Sequence, residues 1–316
     1  MSAALSIPVR AEVIRYEAKG VLSLTLRTLD GSALPLAEAG AHIDLELGNG
    51  ATRQYSLIRA QDASRYVIGV ARDANGRGGS KWLHDELRIG TELKITGLRN
   101  AFALDEGTGP VALYAGGIGI TPIISMIEAL EAKGRQWTAF YACRARDCAA
   151  FLDDLAAYGD RITYHFDAEA GTIADLKAEI AKVPAGTHLY CCGPEPMLNA
   201  FETACQGRPE AEIHLERFGA KPLDASAEGS FEVEFRKSGK RVTVAADQTI
   251  LEAAKSIGVS IDHSCENGVC GTCEVTIIDG VPDHRDMILD DKERASGKTL
   301  MVCCSRSKSP TLVLNA

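Results

Sequence analysis

No apolar run in the 316-residue chain approaches the ~20 residues that a membrane-spanning helix needs. The opening stretch, "MSAALSIPVRAEV", lacks the basic start and long apolar segment of a secretory signal. A basic excess is missing as well. The chain has 34 Lys and Arg against 43 Asp and Glu, a net charge of -9, whereas nucleic-acid binders carry a basic patch or stripe. The expectation is a soluble, cytoplasmic protein that engages neither nucleic acid nor membrane. No internal repeat is present. Cysteine is absent before Cys143, and the ten cysteines fall at 143, 148, 191, 192, 205, 265, 270, 273, 303 and 304. In a reducing cytosol that clustering disfavours a disulfide framework and favours metal or redox use.

The first hundred residues alternate as half-buried antiparallel strands do. Leu22, Leu24 and Leu26 share one face of "VLSLTL", and Ile43, Leu45 and Leu47 share one face of "HIDLEL" before a "GNG" turn. "RYVIGVARD" and "TELKITGL" continue the pattern, and "SKWLHDEL" reads as one helix. A small β-barrel or sandwich is expected. From about residue 109 the rhythm becomes apolar strand, turn, amphipathic helix. "PVALYAGG" leads into "TPIISMIEALEAKG", "WTAFYACR" into "CAAFLDDLAAYG", "ITYHFD" into "TIADLKAEIAKV", and "THLYCCGP" into "EPMLNAFETACQG". That alternation implies a parallel sheet covered on both faces. "GAKPLDASAEGS" at 219–230 is small, polar and glycine-rich, as linkers are. A hairpin, "SFEVEFRKSGKRVTV", and a helix, "ILEAAKSIG", then precede "HSCENGVCGTCEV".

In that last stretch Cys265, Cys270 and Cys273 are separated by four residues and then two, and Cys303 follows thirty positions later. This is the plant-type 2Fe-2S spacing, three thiolates from one tight loop and a fourth from further on. Gly268 and Gly271 let such a loop wrap closely around a cluster. A zinc site more often shows two short cysteine pairs, and buried structural thiols are the plainer alternative. Cys304 reads as a neighbour of the fourth ligand, since adjacent strand residues face opposite sides. His263 and His284 read as surface residues or outer neighbours of the site, because four suitable cysteines are already present.

Three further motifs suggest cofactors. In "RQYSL", Arg53 can pair with a phosphate, Tyr55 offers an aromatic plane and Ser56 a hydrogen bond. Gly78, Gly79 and Ser80 precede a helix, an arrangement whose free amides bind phosphate, though a plain capping turn has the same look. "YAGGIGITP" follows a strand and opens a helix, so Gly116, Gly117 and Gly119 admit a nucleotide backbone-on, with Thr121 beside them. Pro122 stands where the usual dinucleotide fingerprint has its third glycine. "YCCGPEPM" ends a strand at Cys192, Gly193 and Pro194, which could equally be a buried thiol before a turn.

From "SFEVEF" through "SCENGVCGTCEV" and "DHRDMIL" to "MVCCSRSKSPTLVL" the chain resembles the ferredoxin domain of oxygenase reductases. The whole chain is similar to the phthalate dioxygenase reductase and vanillate O-demethylase reductase family. The resemblance implies a multidomain α/β and β fold: a flavin-binding β-barrel at 1–104, a ferredoxin-reductase-like NAD-binding α/β domain with a parallel sheet at 105–220, a linker at 221–229, and a β-grasp 2Fe-2S ferredoxin domain at 230–316. It implies FMN, in preference to FAD, on Arg53, Tyr55, Ser56, Val70, Arg72, Gly78, Gly79 and Ser80. It implies NADH, in preference to NADPH, on Gly116, Gly117, Gly119, Thr121, Arg144, Cys192, Gly193 and Pro194. Cys265, Cys270, Cys273 and Cys303 would hold the cluster, with Cys192 and Phe218 near the flavin and nicotinamide. The expected activity is hydride transfer from NADH to flavin and one-electron transfer through the cluster to a Rieske non-heme iron oxygenase, by positioning alone. A stand-alone NAD(P)H-dependent flavin or quinone reductase, and a non-catalytic metal-binding module, are the competing expectations.

Overall fold

The alternating N-terminal sequence forms six strands in the computed structural model, which describes residues 5–74, 76, 78–219, 229–263, 266–268 and 271–316. They are β1 (Ile7–Ala18), β2 (Val21–Thr28), β3 (His42–Glu46), β4 (Thr52–Ser56), β5 (Tyr66–Ala71) and β6 (Glu92–Arg99), with helix α1 (Gly79–Asp85) between the last two. Every pairing in the order β4-β3-β6-β1-β2-β5 is antiparallel, and a bridge from Leu57, just past β4, to Ile68 of β5 curls the sheet into a barrel. Leu24, Leu26, Ile43, Leu45 and Leu47 fill its interior, on the faces the alternation indicates.

The strand-helix rhythm beyond residue 109 yields β7 (Val111–Gly116), α2 (Ile120–Ala132), β8 (Trp137–Cys143), α3 (Leu152–Leu155), β9 (Ile162–Phe166), α4 (Asp167–Ala170), α5 (Leu176–Ala181), β10 (His188–Cys192), α6 (Glu195–Ala204) and β11 (Ile213–Glu216). The strands form a wholly parallel sheet in the order β11-β10-β7-β8-β9, with an apolar core on each face. Gly134 ends α2 in the left-handed conformation, φ 61°. One expected helix is cut short: "CAAFLDDLAAYG" keeps only the four-residue α3 flanked by 3-10 turns. Phe151 takes φ 62° to drive its ring into the core, and Gly159 turns at φ 56°, ψ -133°, so tertiary burial overrides the helical period.

By its internal contacts the chain divides into two compact units, one ending at Arg217 and the other beginning at Phe218. Barrel and parallel sheet share the first. Ala18, Val21 and Ile58 of the barrel enter the same core as Ile120, Ile124 and Met126 of the sheet domain. The second unit contains β12 (Phe231–Phe235), β13 (Lys240–Val244), α7 (Ile250–Ser256), β14 (Glu274–Asp279), β15 (Pro282–Asp283), α8 (Asp291–Ser296), β16 (Thr299–Met301), β17 (Arg306–Ser307) and β18 (Thr311–Leu314). Its main sheet runs β13-β12-β18-β14-β16, parallel only between β12 and β18. Thr249 and Glu252 cap α7 reciprocally, which starts the helix where the sequence indicates. Most of the expected linker, 220–228, lies outside the described residues. Among the described residues no helix is long and apolar enough to cross a membrane, and every cysteine is a free thiol.

Candidate functional site

The parallel sheet reverses its direction of growth at β7. The chain moves outward through β8 and β9, then returns to lay β10 on the other side of β7. The carboxyl ends of β7 and β10 therefore border a switch-point crevice, the place where open α/β sheets bind nucleotides. Both expected nucleotide motifs meet there. Ala115 pairs with Cys192, so Gly116 leaves its strand beside Gly193. A Cβ on Gly119 would stand 2.2 Å from the Cys192 carbonyl oxygen, and one on Gly116 would stand 2.5 Å from the Met197 sulfur and 2.7 Å from Pro194 Cδ. Only glycine lets the two loops close on each other. Gly117, at φ 53°, has nothing within 4 Å of its Cβ direction and leaves its backbone open. Thr121 is buried and its hydroxyl donates to the Ile118 carbonyl at 2.9 Å. Its methyl packs on the barrel, 2.6 Å from where a Cβ on Gly69 would lie, so Thr121 joins the two halves of the first unit. Arg144 is the first residue after β8, exposed and without an ion pair among the described residues.

The flavin motif gathers unevenly. Arg53 and Tyr55 lie on β4, Ser56 ends it, and Gly78 caps α1 in the left-handed conformation, φ 82°. A Cβ on Gly79 would meet Arg53 Cγ at 2.6 Å and Nε at 2.7 Å, so the arginine lies across the first turn of the helix. A cation over exposed amide hydrogens is a donor set that fits a phosphate. Ser80 closes the preceding loop by accepting the Asp73 N–H at 3.1 Å. Tyr55 is packed on the barrel core, and burial raises its phenol well above the usual range. Two further residues of the expected set reach α1 itself. Val70 points into the barrel, 1% exposed, with its carbonyl 3.0 Å from His84 Nε2, and Arg72 is held by Asp85 at 3.0 Å. Phe218 is exposed and opens the second unit.

Two polar residues beside the crevice escape a motif reading. Glu216 ends β11 in register with Cys192, and the thiol points at its Oε2 across 3.9 Å. His42 Nδ1 lies 3.9 Å from the other carboxylate oxygen, and His42 is cross-strand from Ser56. Burial pushes the Glu216 carboxyl up to about 8, its Cys192 hydrogen bond only partly opposing this. Burial likewise raises the Cys192 thiol far above its ordinary range and, with help from Arg99, lowers the His42 imidazole. All three are neutral near pH 7, and His42 Nε2 is buried with no hydrogen-bond partner among the described residues. The available signal was an acid at the end of the apolar strand "IHLE", where a solvated face is the ordinary reading.

In the second unit, pairing of β14 with β16 sets Glu274 opposite Met301 and thereby brings together the turns that hold Cys273 and Cys303. The Val302 N–H donates to the Cys273 carbonyl at 3.3 Å, and the Cys303 thiol is within hydrogen-bonding reach of the Cys273 thiol and the Gly268 N–H. Paired sulfurs with an amide hydrogen aimed at them fit an anionic iron-sulfur group. Cys265 and Cys270 lie outside the described residues. Gly268 and Gly271 are left-handed, φ 69° and 77°, as a tight wrap requires. Cys304, expected beside the fourth ligand on a strand, has its thiol next to that of Cys303. Residues 302–304 form a turn rather than a strand, and the Cys304 thiol donates to the Met301 carbonyl at 3.7 Å. His263 is near the surface beside Glu266, 3.5 Å away. His284 is the less exposed of the two: both ring nitrogens are buried without hydrogen-bond partners among the described residues, and Nδ1 lies 3.9 Å from Asp286.

Comparison with known proteins agrees with this architecture. Residues 113–203 match the oxidoreductase NAD-binding domain, and residues 233–308 match the 2Fe-2S iron-sulfur cluster binding domain. The chain is therefore an iron-sulfur oxidoreductase of the pyridine-nucleotide-dependent class. It is 48% identical to the phenoxybenzoate dioxygenase subunit beta of Ectopseudomonas oleovorans across 100% of both chains. It is 41% identical to the vanillate O-demethylase oxidoreductase of a Pseudomonas strain over 98% of this chain and 99% of that one. The solved phthalate dioxygenase reductase, described as a modular structure for electron transfer from pyridine nucleotides to [2Fe-2S], superposes with a TM-score of 0.77 at 35% identity, covering 98% of each chain. The chain belongs to the phthalate dioxygenase reductase and vanillate O-demethylase reductase family.

Proposed function

We propose that this protein is the reductase component of a two-component Rieske-type aromatic oxygenase or O-demethylase, drawing electrons from NADH through FMN and a 2Fe-2S cluster. One observation carries the reading: Gly119 and Cys192, from motifs more than seventy residues apart, close a single crevice where the sheet order reverses. The residues divide into a flavin barrel at 1–104, a nucleotide domain at 105–220 and a ferredoxin domain at 230–316.

Bound flavin accepts hydride and returns electrons singly, and a 2Fe-2S cluster carries them one at a time. The protein's part is placement. Arg53 and the amides of Gly78, Gly79 and Ser80 neutralise the flavin phosphate, while Tyr55 and Ser56 address the ring system. Gly116, Gly117 and Gly119 admit the dinucleotide backbone, and Cys192, Gly193 and Pro194 seat the nicotinamide. Glu216 keeps its proton at neutral pH and Cys192 remains a thiol, so neither brings a negative charge to the crevice that would seat the nicotinamide. Cys265, Cys270, Cys273 and Cys303 hold the irons, and the partner oxygenase selects the aromatic substrate.

Anaerobic titration with NADH, followed by visible and electron paramagnetic resonance spectra, tests the reading. Flavin bleaching together with a reduced 2Fe-2S signal supports it. Bleaching without a cluster signal in iron-replete protein reduces it to a stand-alone flavin or quinone reductase.

A further inference from the structure

The nucleotide reading of the crevice leaves open which coenzyme it selects, and on that reading the ends of β8 and β9 bear directly on the choice. In dinucleotide-binding sheets the adenosine ribose reaches the carboxyl end of the strand next to the glycine-loop strand. An acid there reads the ribose hydroxyls, and an arginine accommodates a 2′-phosphate. Here the strand beside β7 is β8, and it runs into Arg144, Ala145, Arg146 and Asp147. The end of β9 is tied to this segment by the Ala168 N–H, which donates to the Arg144 carbonyl at 2.9 Å.

Two arginines at this place offer cations to a 2′-phosphate, the NADPH alternative to the NADH that the family resemblance implies. The structure separates them. Arg146 is gripped by Glu169 in a two-point fork, Nε to Oε1 at 2.9 Å and Nη2 to Oε2 at 3.1 Å, with its guanidinium 4.4 Å over the Phe166 ring. Its charge is matched, its planar donors face the carboxylate, and the ring beneath fixes its orientation. Asp167 opens α4 directly after β9, 3.3 Å from His165. Asp147 is occupied by Lys19 at 3.5 Å. A phosphate entering here meets the carboxylates of Glu169 and Asp167 and an arginine already engaged. Arg144, exposed and without an ion pair among the described residues, is left for the phosphates that NADH and NADPH share.

We infer that Glu169 is a positioning residue that sets coenzyme choice: by holding Arg146 it denies a 2′-phosphate its cation, and the crevice takes NADH over NADPH. Both side chains are exposed, and surface pairs contribute little to stability, so the pair can be dissolved without unfolding the domain.

The test is Glu169→Gln in the full-length protein, with kcat/KM for NADH and NADPH as one readout. The second is calorimetric binding of 2′,5′-ADP and 5′-AMP to the oxidised protein, which does not depend on turnover. The expected result is that NADPH and 2′,5′-ADP each improve by about tenfold or more, while NADH and 5′-AMP change by less than about threefold, since a pocket charge is read as a difference of affinities. Arg146→Ala added to Glu169→Gln erases the gain, and Arg144→Ala weakens both coenzymes alike. An unchanged NADPH-to-NADH ratio in Glu169→Gln, or a wild type that uses both equally, overturns the inference while leaving the crevice reading intact. Failure of either coenzyme to bind overturns the crevice reading itself and the inference with it.

Discussion

The Cys192 thiol and the Glu216 carboxyl group, 24 residues apart in the chain, stand 3.9 Å apart beside the switch-point crevice. Neighbouring parallel strands bring them into register, and burial keeps both protonated. A carboxyl raised from an ordinary 4.5 to about 8 binds its proton more tightly folded than unfolded. The folded state therefore loses stability as pH rises from 4.5, and the loss levels off above about 8. Glu216→Gln carries no such proton, so its unfolding free energy should be flatter across that window and higher than the wild type near pH 9. Chemical denaturation at several pH values measures this, and parallel pH dependences in the two proteins would reject it.

The two glycine contacts should behave differently on substitution. Gly119→Ala pushes a methyl against the Cys192 backbone, which cannot swing away, so a loss of about 1–3 kcal/mol in stability and a marked rise in KM for NADH are expected. Gly79→Ala instead meets the flexible end of Arg53, so the fold should survive while the arginine is displaced and flavin retention falls. Thermal melting and flavin content of the purified variants separate these outcomes.

Of the adjacent cysteines, only one should matter to the cluster. Cys303→Ser is expected to abolish the reduced 2Fe-2S resonance and lower bound iron. Cys304→Ser should leave both in place, because its thiol is already turned to the Met301 carbonyl. A cluster that survives Cys303→Ser but not Cys304→Ser would reverse the assignment.

Arg306 is 1% exposed and donates to the carbonyls of Gln248, Gly229 and Ala245 at 2.7, 2.8 and 3.1 Å, with its guanidinium over the Phe231 ring. Truncation to Ala strands several buried acceptors, so a loss of about 3 kcal/mol or more is expected in the second unit. Melting followed through the visible bands of the cluster would report it, with flavin reduction by NADH largely preserved.

The period-two alternation of Leu24, Leu26, Ile43 and Leu45 is enough to predict the barrel interior, because each strand's burial pattern is local to its own residues. The strand-helix rhythm from Val111 to Glu216 predicts the parallel sheet for the same reason. The helix expected from "CAAFLDDLAAYG" does not form at full length, since Phe151 gains more from the core than from helical geometry. Arg53 with Gly79, and Gly119 with Cys192, belong to separate motifs in the sequence, and their contact depends on which strands become neighbours.

The sequence by itself determined the kind of chemistry this protein can hold, because cysteine spacing, glycine-rich turns and strand period are short-range properties written in consecutive residues. Tertiary structure alone decided that Val70 turns inward, that Glu216 meets both Cys192 and His42, and that Glu169 engages Arg146 and not Arg144. Burial and pairing are properties of neighbours, and these neighbours come from distant parts of the chain through the order of strands in a sheet.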